Sequence, residues 1–441
     1  MNANSLFMKL SLNRLKYKIR GIFTLTLLLI SIVYSNAQNL ADTLTLDSCL
    51  KLALENYPLL KQKALLEEAS RLQLWNVTTA YLPQAGLNGQ ITYQSDVTKI
   101  PLKIPGINIP EPDKDMYKFT LDINQAIFDG GIVFAQRKLE KASFKADMQG
   151  IEVELYKIND RVNQIYFSIL LVQANENLIL LAQSEIKSRI AKMESGIRNG
   201  IATENNADIM KAELLKTGQQ LIEARSSKMS FLAMMEEFIN KKISPGVVLL
   251  APDVFVVPPV PVIKRPELQL FELQKQKLDA SRQLANTRWF PKVLGFVQLG
   301  YGKPGLNMLS SSFDKYYMLG AKLSWNPWNW NQTRNDKKLL GIQGKIIDIQ
   351  QEAFLQNIRI LQQKNISDFD KYEQLMKSDD EIIALRTKIA DNAGAQLENG
   401  VITATEYITE LNNRTFAKLN KELHKIQYIN SKINLLNVAG K

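Results

Sequence analysis

The sequence predicts a mainly α-helical protein with a small membrane β part, built as a tandem duplication. Three observations support this fold class. The motifs NGIAT at 199–203 and NGVIT at 399–403 interrupt long helical stretches, and the second motif repeats the first at an offset of 200 residues. Two segments of alternating apolar and polar residues precede the long helical stretch in each half. Apolar residues in the first long stretch follow a heptad-like spacing, which is typical of packed helices.

The N-terminal segment, residues 1–37, has the pattern of a secretory signal peptide. Basic residues without any acid precede an apolar run of about a dozen residues, and Ser35-Asn36-Ala37 supplies a small-x-small cleavage site. The run is too short to span a membrane. Removing the five basic residues of this segment lowers the formal net charge from +11 to +6 (11 − 5). So modest a charge on so long a chain does not indicate nucleic-acid binding.

Both halves have the same order of elements: helix, strand, loop, strand, very long helix, hairpin tip and returning helix. Pro58 and Pro83 are 25 residues apart, and so are Pro266 and Pro291, with a helix-like segment between the members of each pair. This self-similarity is the mark of a duplicated structural unit. The sequence divides into a first repeat at 38–242, a Pro-rich linker at 243–266 and a second repeat at 267–441.

Alternating apolar and polar residues predict strands at about 85–95, 116–125, 293–302 and 316–325. Each segment has about 10 residues, enough to cross a bilayer as a tilted strand. The polar set is strongly polar, which suits a water-filled lumen. Taken alone, the strands fit equally well a half-buried sheet in a soluble domain.

Aromatic residues lie at both ends of the predicted strands, where an interfacial girdle is expected in a membrane barrel. The predicted membrane-interface residues are Tyr81, Tyr93, Tyr117, Phe128, Trp289, Tyr301, Tyr317, Trp325, Trp328 and Trp330. Together with the signal peptide, these girdles favour the barrel. Every backbone N–H and C=O must be paired in lipid, and the smallest single-chain barrels have about eight strands. Four strands therefore require several chains to share one barrel, and two, three or four copies all satisfy closure.

Two very long helices are predicted at about 132–198 and 331–398, with returning helices at about 204–242 and 404–436. In the first, apolar residues recur in alternating steps of four and three, and only Glu176 and Gln183 interrupt the series. The tips at 199–203 and 399–403 reverse the chain between each long helix and its returning helix.

Each tip combines a helix end with a helix start. Gly200 and Gly400 are placed as left-handed C-caps, where the missing Cβ removes the steric cost. Thr203 and Thr403 are placed as N-caps of the returning helices. Thr403 together with Glu406 also fits a capping box.

The side-chain inventory argues against an enzyme or a metal protein. With one cysteine, Cys49, and one histidine, His424, the chain lacks the ligands for a His/Cys zinc site. We find no phosphate-binding glycine loop and no nucleophile–base pair, so no cofactor and no catalytic residue are predicted. Cys49 is expected on an apolar helix face.

The doubled order of motifs resembles that of the TolC-type outer-membrane efflux proteins, over essentially all of residues 40–438. LTLDSCLKLALENYP resembles the opening helix of that family, and YLPQAGLNGQITY and WFPKVLGFVQLGY resemble its helix-to-strand passages. FTLDINQAIFDGG and LGAKLSWNPWNW resemble its strand-to-helix passages, and NGIAT and NGVIT its hairpin tips. No single motif is highly specific. The order of the motifs is specific, because it occurs in both halves of the chain.

The resemblance implies a homotrimer in which a 12-stranded barrel in the outer membrane of a Gram-negative bacterium continues into a 12-helix periplasmic tunnel. It also implies docking to a periplasmic adaptor and an inner-membrane efflux pump or secretion ATPase. The implied function is that of the outer-membrane duct of a tripartite efflux or type I secretion system. The implied adaptor-docking residues are Asn199, Gly200, Ile201 and Thr203 in the first tip, and Asn399, Gly400, Val401 and Thr403 in the second.

Acidic residues often line the tunnel entrance in the family, soon after the second tip glycine. Glu406 matches the usual first acidic position, and Glu410 lies one residue beyond the second. The matching residue in the first half is the uncharged Asn206. Two interpretations are open here, an entrance gate of Glu406 and Glu410 or a simple helix cap at Glu406.

The alternative function from another class is a periplasmic or surface coiled-coil interaction protein without a conducting pore. The two proposals differ in what the strands do, because only a conduit needs a closed membrane barrel. The sequence does not indicate the exported substrate or the class of pump, and it assigns no role to the Pro-rich segment 96–115, which we expect to be a surface loop.

Overall fold

The computed structural model describes residues 43–98, 113–199, 203–253 and 261–441. Several sequence-based predictions fall wholly or partly outside these residues: the signal peptide at 1–37, most of the loop at 96–115, Gly200 and Ile201 of the first tip, and part of the linker at 243–266.

The described helices and strands follow the predicted doubled order. The first half contains β1 (Thr43–Leu44), α1 (Leu46–Asn56), α2 (Leu60–Thr79), β2 (Gln84–Tyr93), β3 (Asp115–Phe128), α3 (Ile132–Arg198) and α4 (Glu204–Ile239). The second half contains β4 (Val248–Leu249), α5 (Pro266–Asn286), β5 (Lys292–Lys303), β6 (Asp314–Ser324), α6 (Gln332–Glu398) and α7 (Ala404–Ala439). Both long helices have 67 residues and both returning helices have 36, which confirms the duplicated, mainly helical fold.

Contacts divide the chain into two compact units, and each unit contains segments of both halves. The sheet unit consists of residues 54–160, 256–370 and 431–441. The tip unit consists of the described residues up to 53 together with 161–255 and 371–430. Each unit is thus completed by both repeats, and neither repeat forms a unit alone.

The sheet unit contains one four-stranded antiparallel sheet in the order β2-β3-β5-β6. Its register sets Leu87 opposite Leu121, Leu121 opposite Leu299 and Leu299 opposite Tyr317. Residues directly opposite each other point to the same side of a sheet, so this row places apolar side chains of all four strands on one face. The alternating pattern predicts that β3 ends at about residue 125. In the structure β3 continues to Phe128, with a bulge between Ala126 and Phe128.

The first returning helix, α4, ends at Ile239 because the next residue, Asn240, adopts a left-handed conformation with φ of 50°. The Lys241 N–H donates to the Glu236 carbonyl, and the Glu236 carboxylate accepts from the Ile243 N–H at 2.7 Å. The Glu236 carbonyl also accepts from the Asn240 N–H, and together these bonds end the helix before residue 242. The second returning helix, α7, continues to Ala439.

In the tip unit, the predicted apolar seam of α3 is buried. Val162 and Ile169 are fully inaccessible to solvent, and Ile186 is nearly so. By length and composition alone α3 contains a window apolar enough to cross a membrane, and 39% of that window is buried within the protein. A single helix of this kind is weak evidence for a membrane span. Gln183, which interrupts the seam in the sequence, is buried as well.

A two-residue parallel ladder pairs β1 with β4 in the same unit. The Tyr166 hydroxyl lies 2.8 Å from the Leu44 carbonyl and 2.6 Å from the Leu250 carbonyl, and so joins the two short strands to α3. Gln173 adds bonds to both the N–H and the carbonyl of Leu249, at 3.0 and 3.1 Å. Cys49 is buried as expected, and burial raises the pKa of its thiol to about 12.

Candidate functional site

The second tip is built from a complete helix C-cap. Gly400 has φ of +70°, and its N–H donates to the Leu397 carbonyl at 3.1 Å. The Val401 N–H donates to the Gln396 carbonyl at 2.8 Å. This pair of bonds is a Schellman motif, which requires a left-handed residue at the glycine position. Gly400 therefore adopts the left-handed C-cap conformation that the sequence predicts.

The returning helix begins with a reciprocal capping box. The Glu406 N–H donates to the Thr403 hydroxyl oxygen at 3.3 Å, while the Glu406 carboxylate accepts from the Thr403 N–H at 2.8 Å. The same carboxylate oxygen accepts from the Thr403 hydroxyl at 2.9 Å. The Thr403 N–H, followed by its hydroxyl, holds the pKa of Glu406 below its usual value. The cap interpretation of Glu406 is thus satisfied in full by local contacts.

The first tip is capped more simply. Thr203 is extended, and its hydroxyl accepts from the Asn206 N–H at 3.4 Å. The side-chain oxygen of Asn206 in turn accepts from the Ala404 N–H of the second hairpin at 3.3 Å. The uncharged residue that takes the place of an acid in the first half is therefore a link between the two hairpins, a role that the sequence pattern did not predict.

At the end of α6, Glu398 forms salt bridges with two basic residues of α3. Its carboxylate lies 2.9 Å from the Lys192 ammonium and also pairs with Arg189. These contacts, with the hydrogen bond from Lys192 foremost, hold the pKa of Glu398 low. The Arg189 guanidinium also donates to the Gly394 carbonyl at 3.3 Å and lies 5.1 Å from the centre of the Tyr407 ring. The last turn of α6 is thereby fixed to α3.

A second polar cluster joins α3 to α7. The Tyr407 ring is fully buried, and its hydroxyl donates to Glu185 at 3.0 Å. Arg414 pairs with the other oxygen of Glu185 and lies 3.4 Å from Asp391. Burial, reinforced by the nearby Glu185 carboxylate, raises the pKa of Tyr407 to about 12. Glu185 is more than 200 residues from both Tyr407 and Arg414 in the sequence, so periodicity gives no signal for these two pairs.

The two candidate gate residues have different surroundings. Glu406 belongs to the capping box and is exposed. Glu410 lies 3.3 Å from the Arg386 guanidinium and accepts a hydrogen bond from Asn413 at 3.4 Å. Glu406 thus caps the N-terminus of α7, whereas Glu410 pairs with a basic residue of α6.

The sheet has an apolar and a polar face, as the alternation predicts. The apolar face is exposed in the single chain, where Leu87 is 85% and Leu319 is 73% exposed. On the polar face, Asp122 accepts hydrogen bonds from Asn88 and Gln298, both at 2.5 Å, and from Thr120 at 3.0 Å. A sheet with these two faces fits lipid on one side and water on the other.

Nine of the ten predicted interface aromatics are exposed, and Tyr117 is half-buried. At the loop end of the sheet, Phe313 packs on Tyr301 with ring centroids 5.4 Å apart and on Tyr117 at 5.7 Å. At the other end, Trp328 and Trp330 meet edge to face at 5.7 Å. The structure therefore groups the aromatics at both ends of the strands.

The passages from strand to long helix contain a left-handed turn that was not predicted from the sequence. In the first half Gly130 and Gly131 have φ of +73° and +83°. At the same offset of 200 residues, Trp330 and Asn331 have φ of +51° and +61°. A left-handed tryptophan is unusual. Comparison of DGG at 129–131 with NWN at 329–331 is the signal that could have revealed it.

Comparisons with known proteins agree with this geometry. The family model described as outer membrane efflux protein matches residues 49–233. No curated protein matches the chain significantly in sequence. The chain is similar in structure to the Campylobacter jejuni CmeC outer membrane channel, with a TM-score of 0.63, 16% identity and coverage of 90% of this chain and 85% of that one.

Two further solved structures are similar. For VceC, an outer membrane protein of Vibrio cholerae, the TM-score is 0.64 at 12% identity, and the match covers 90% of this chain and 96% of that one. For the open state of the Neisseria gonorrhoeae MtrE outer membrane channel, the TM-score is 0.63 at 14% identity, with coverage of 90% and 88%.

The family match and the shared fold are both those of outer-membrane channels. Over residues 49–233 the chain is similar to the outer membrane efflux proteins, and over 90% of its length it shares the fold of solved outer-membrane channels. The resemblance stated from the sequence is thereby confirmed. Among the described residues, no group of three or more His, Cys, Asp and Glu side chains is arranged to hold a metal ion.

Proposed function

We propose that three copies of this chain close one 12-stranded barrel and serve as the outer-membrane duct of a tripartite efflux or type I secretion system. The observation that supports this proposal is the open sheet. Within the part of the chain that the structure describes, β2 pairs only with β3, and β6 pairs only with β5. Both edge strands therefore present backbone donors and acceptors that a neighbouring copy can pair.

The energetics of the membrane favour closure by several chains. Each unpaired backbone group in hydrocarbon costs several kcal/mol. An edge strand of 10 or 11 residues, such as β2 or β6, would leave many such groups unpaired. The exposed apolar face carrying Leu87 and Leu319 would contact lipid once the edges pair between chains.

The tips are proposed as the docking surface for a periplasmic adaptor that connects the duct to an inner-membrane pump or secretion ATPase. The proposed contact residues are Asn199, Gly200, Ile201 and Thr203, and Asn399, Gly400, Val401 and Thr403. Val401 is 70% exposed although it is apolar, which suits a contact surface. The capping bonds around Gly400 and Thr403 hold this surface in one conformation, so little order is lost on binding.

For the entrance, the contacts of Glu406 favour the capping role, since its carboxylate serves Thr403. Glu410 is proposed to contribute negative charge at the entrance, and the nearby Arg386 guanidinium partly neutralises that charge. A change at Glu410 is therefore expected to affect ion preference more than a change at Glu406.

Conductance of the purified full chain in a planar bilayer tests the proposed function. A duct gives stepwise current increments that stay open for long periods, and heat-denatured protein from the same preparation serves as the control. A folded complex that never forms conducting pores would contradict the proposal and would favour a coiled-coil interaction protein.

A further inference from the structure

One carboxylate lies in the middle of the polar face of the sheet. Asp122 is in β3, and its row of opposite residues contains Gly86 of β2, Gln298 of β5 and Met318 of β6. Paired strands flank β3 on both sides. The position of Asp122 is therefore fixed by the sheet and does not depend on a loop.

The side chains around Asp122 hold its carboxylate in one orientation. Asn88 and Thr120 donate to Oδ2 at 2.5 and 3.0 Å, and Gln298 donates to Oδ1 at 2.5 Å. The donors come from three strands, and all are neutral. Neutral donors orient a carboxylate and favour its charged form without cancelling the charge. The cluster thus presents a full negative charge at a fixed place.

We propose that Asp122 sets the charge preference of the barrel lumen. The inference rests on the proposed trimeric duct, in which three chains place three such carboxylates at one level. A charged side chain on the lipid face destabilises a barrel, so the face that carries Asp122 and its polar partners is the face toward water. Rings of carboxylates in a pore favour cations over anions.

The neighbouring rows of the same face make Asp122 the dominant charge at its level. The row on one side contains Asn88, Thr120, Gly300 and Tyr316, and the row on the other contains Gln84, Asn124, Phe296 and Gly320, so neither row is charged. The next charges of this face lie four residues away along the strands. Lys118 of β3 shares its row with Asp314 of β6, and Lys322 of β6 lies in the row of Ala126. Four residues of strand span about 13 Å. That backbone distance exceeds the screening length of about 8 Å at physiological salt, and Lys118 acts on the Asp122 carboxylate less than the hydrogen bonds from Gln298 and Asn88 do.

Two glycines of the polar face, Gly300 and Gly320, each lie beneath an aromatic ring of a neighbouring strand. A Cβ added to Gly300 would lie 2.1 Å from the Tyr316 ring, and one added to Gly320 would lie 2.9 Å from the Phe296 ring. Each ring therefore lies against the sheet over its glycine and does not extend away from it. Ions passing the row of Asp122 are thus not shielded from it by these large side chains.

Reversal potentials of the full-chain complex in asymmetric KCl test the inference. In the Asp122→Asn variant, which keeps the side-chain size, the ratio of potassium to chloride permeability is expected to fall about threefold. Asp122→Glu keeps the charge and is expected to behave as the wild type. The matched control is Asp115→Asn, which removes the same charge from β3 on the opposite face, where Asp115 lies opposite Tyr93; it is expected to leave the ratio unchanged.

A thiol variant separates charge from any change in fold. In a Cys49→Ala background, Asp122→Cys provides one reactive site. A negatively charged sulfonatoethyl reagent is expected to restore the wild-type ratio within the same recording, and a trimethylammonium reagent to lower it further. Equal effects of the two reagents, or an unaltered ratio in conducting Asp122→Asn complexes, would overturn the inference alone. A wild-type complex that does not conduct would overturn the proposed function, and this inference with it.

Discussion

The side-chain oxygen of Asn206 accepts a hydrogen bond from the backbone N–H of Ala404 at 3.3 Å, which joins the two hairpins of one chain at their tips. Ala404 is fully buried and is the first residue of α7, so its N–H has no partner within the helix. The first repeat thus caps a helix of the second. This bond ties the two candidate docking surfaces together.

Asn206→Ala is expected to loosen the second tip by about 1 kcal/mol, the usual cost of losing a side-chain cap. Hydrogen exchange at the Ala404 amide should become faster, because that N–H loses its acceptor. Asn205→Ala is the control, since Asn205 is an exposed asparagine of the same turn. Equal exchange in both variants would show that the bond contributes nothing to the tip.

The pH dependence of the second tip follows from Glu406. Its pKa is lowered in the fold by the Thr403 N–H and hydroxyl, so the carboxylate stabilises the tip above the unfolded pKa, and this stabilisation is lost as the pH falls through the folded pKa. Glu406→Gln keeps an oxygen acceptor but removes the charge.

Protection of the Thr403 amide in hydrogen exchange should therefore be lower in Glu406→Gln than in the wild type at neutral pH. The difference should vanish in acid, where the wild-type side chain is also neutral. A difference that persists below the ordinary carboxyl range would contradict the capping account of Glu406.

Gly400 provides a test of the docking proposal. Within 4 Å of a Cβ added at Gly400 the structure places no atom, so the cost of substitution arises from its φ of +70° alone. Gly400→Val is expected to distort the turn at a cost of roughly 1–3 kcal/mol. Gly400→Asn should be tolerated better, because asparagine accepts the left-handed conformation.

We expect both Gly400 variants to assemble, since the sheet edges are unchanged, and only Gly400→Val to lose export and adaptor binding. Co-purification with the adaptor and export by whole cells measure the two effects. Full export in Gly400→Val complexes would remove the second tip from the proposed docking surface.

The two faces of the sheet predict an accessibility pattern for single cysteines in a Cys49→Ala background. Gln90→Cys and Asn124→Cys lie on the polar face and should react with a water-soluble thiol reagent. Leu87→Cys and Leu121→Cys lie on the apolar face and should be protected by lipid. Labelling the same complexes in detergent-solubilised, denatured form controls for thiol loss, and equal labelling of both sets in membranes would contradict the assigned faces.

Local features of the fold could be predicted from the sequence because they repeat with a fixed period. Alternation in β2 and β3 indicated which residues share a face, and the steps of four and three in α3 indicated its buried seam. The glycine at 400 and the threonine at 403 indicated a turn because their conformational and hydrogen-bonding preferences are local.

Contacts between distant segments could not be predicted, since one sequence has no signal that pairs them. Residues about 200 apart are joined by the bond from the Ala404 N–H to Asn206, by the bond from Tyr407 to Glu185 and by the ladder of β1 with β4. The left-handed Trp330 also escaped prediction, because tryptophan does not favour that conformation and only the surrounding structure imposes it.

The mass of the purified complex shows whether several chains share one barrel. The mature chain is extracted in mild detergent and weighed by native mass spectrometry after release of the detergent, with the denatured chain as the single-chain reference. We expect a folded complex of three chains, because each four-stranded sheet leaves two edges for neighbouring copies to pair. A stable, folded single chain would contradict both the shared barrel and the duct.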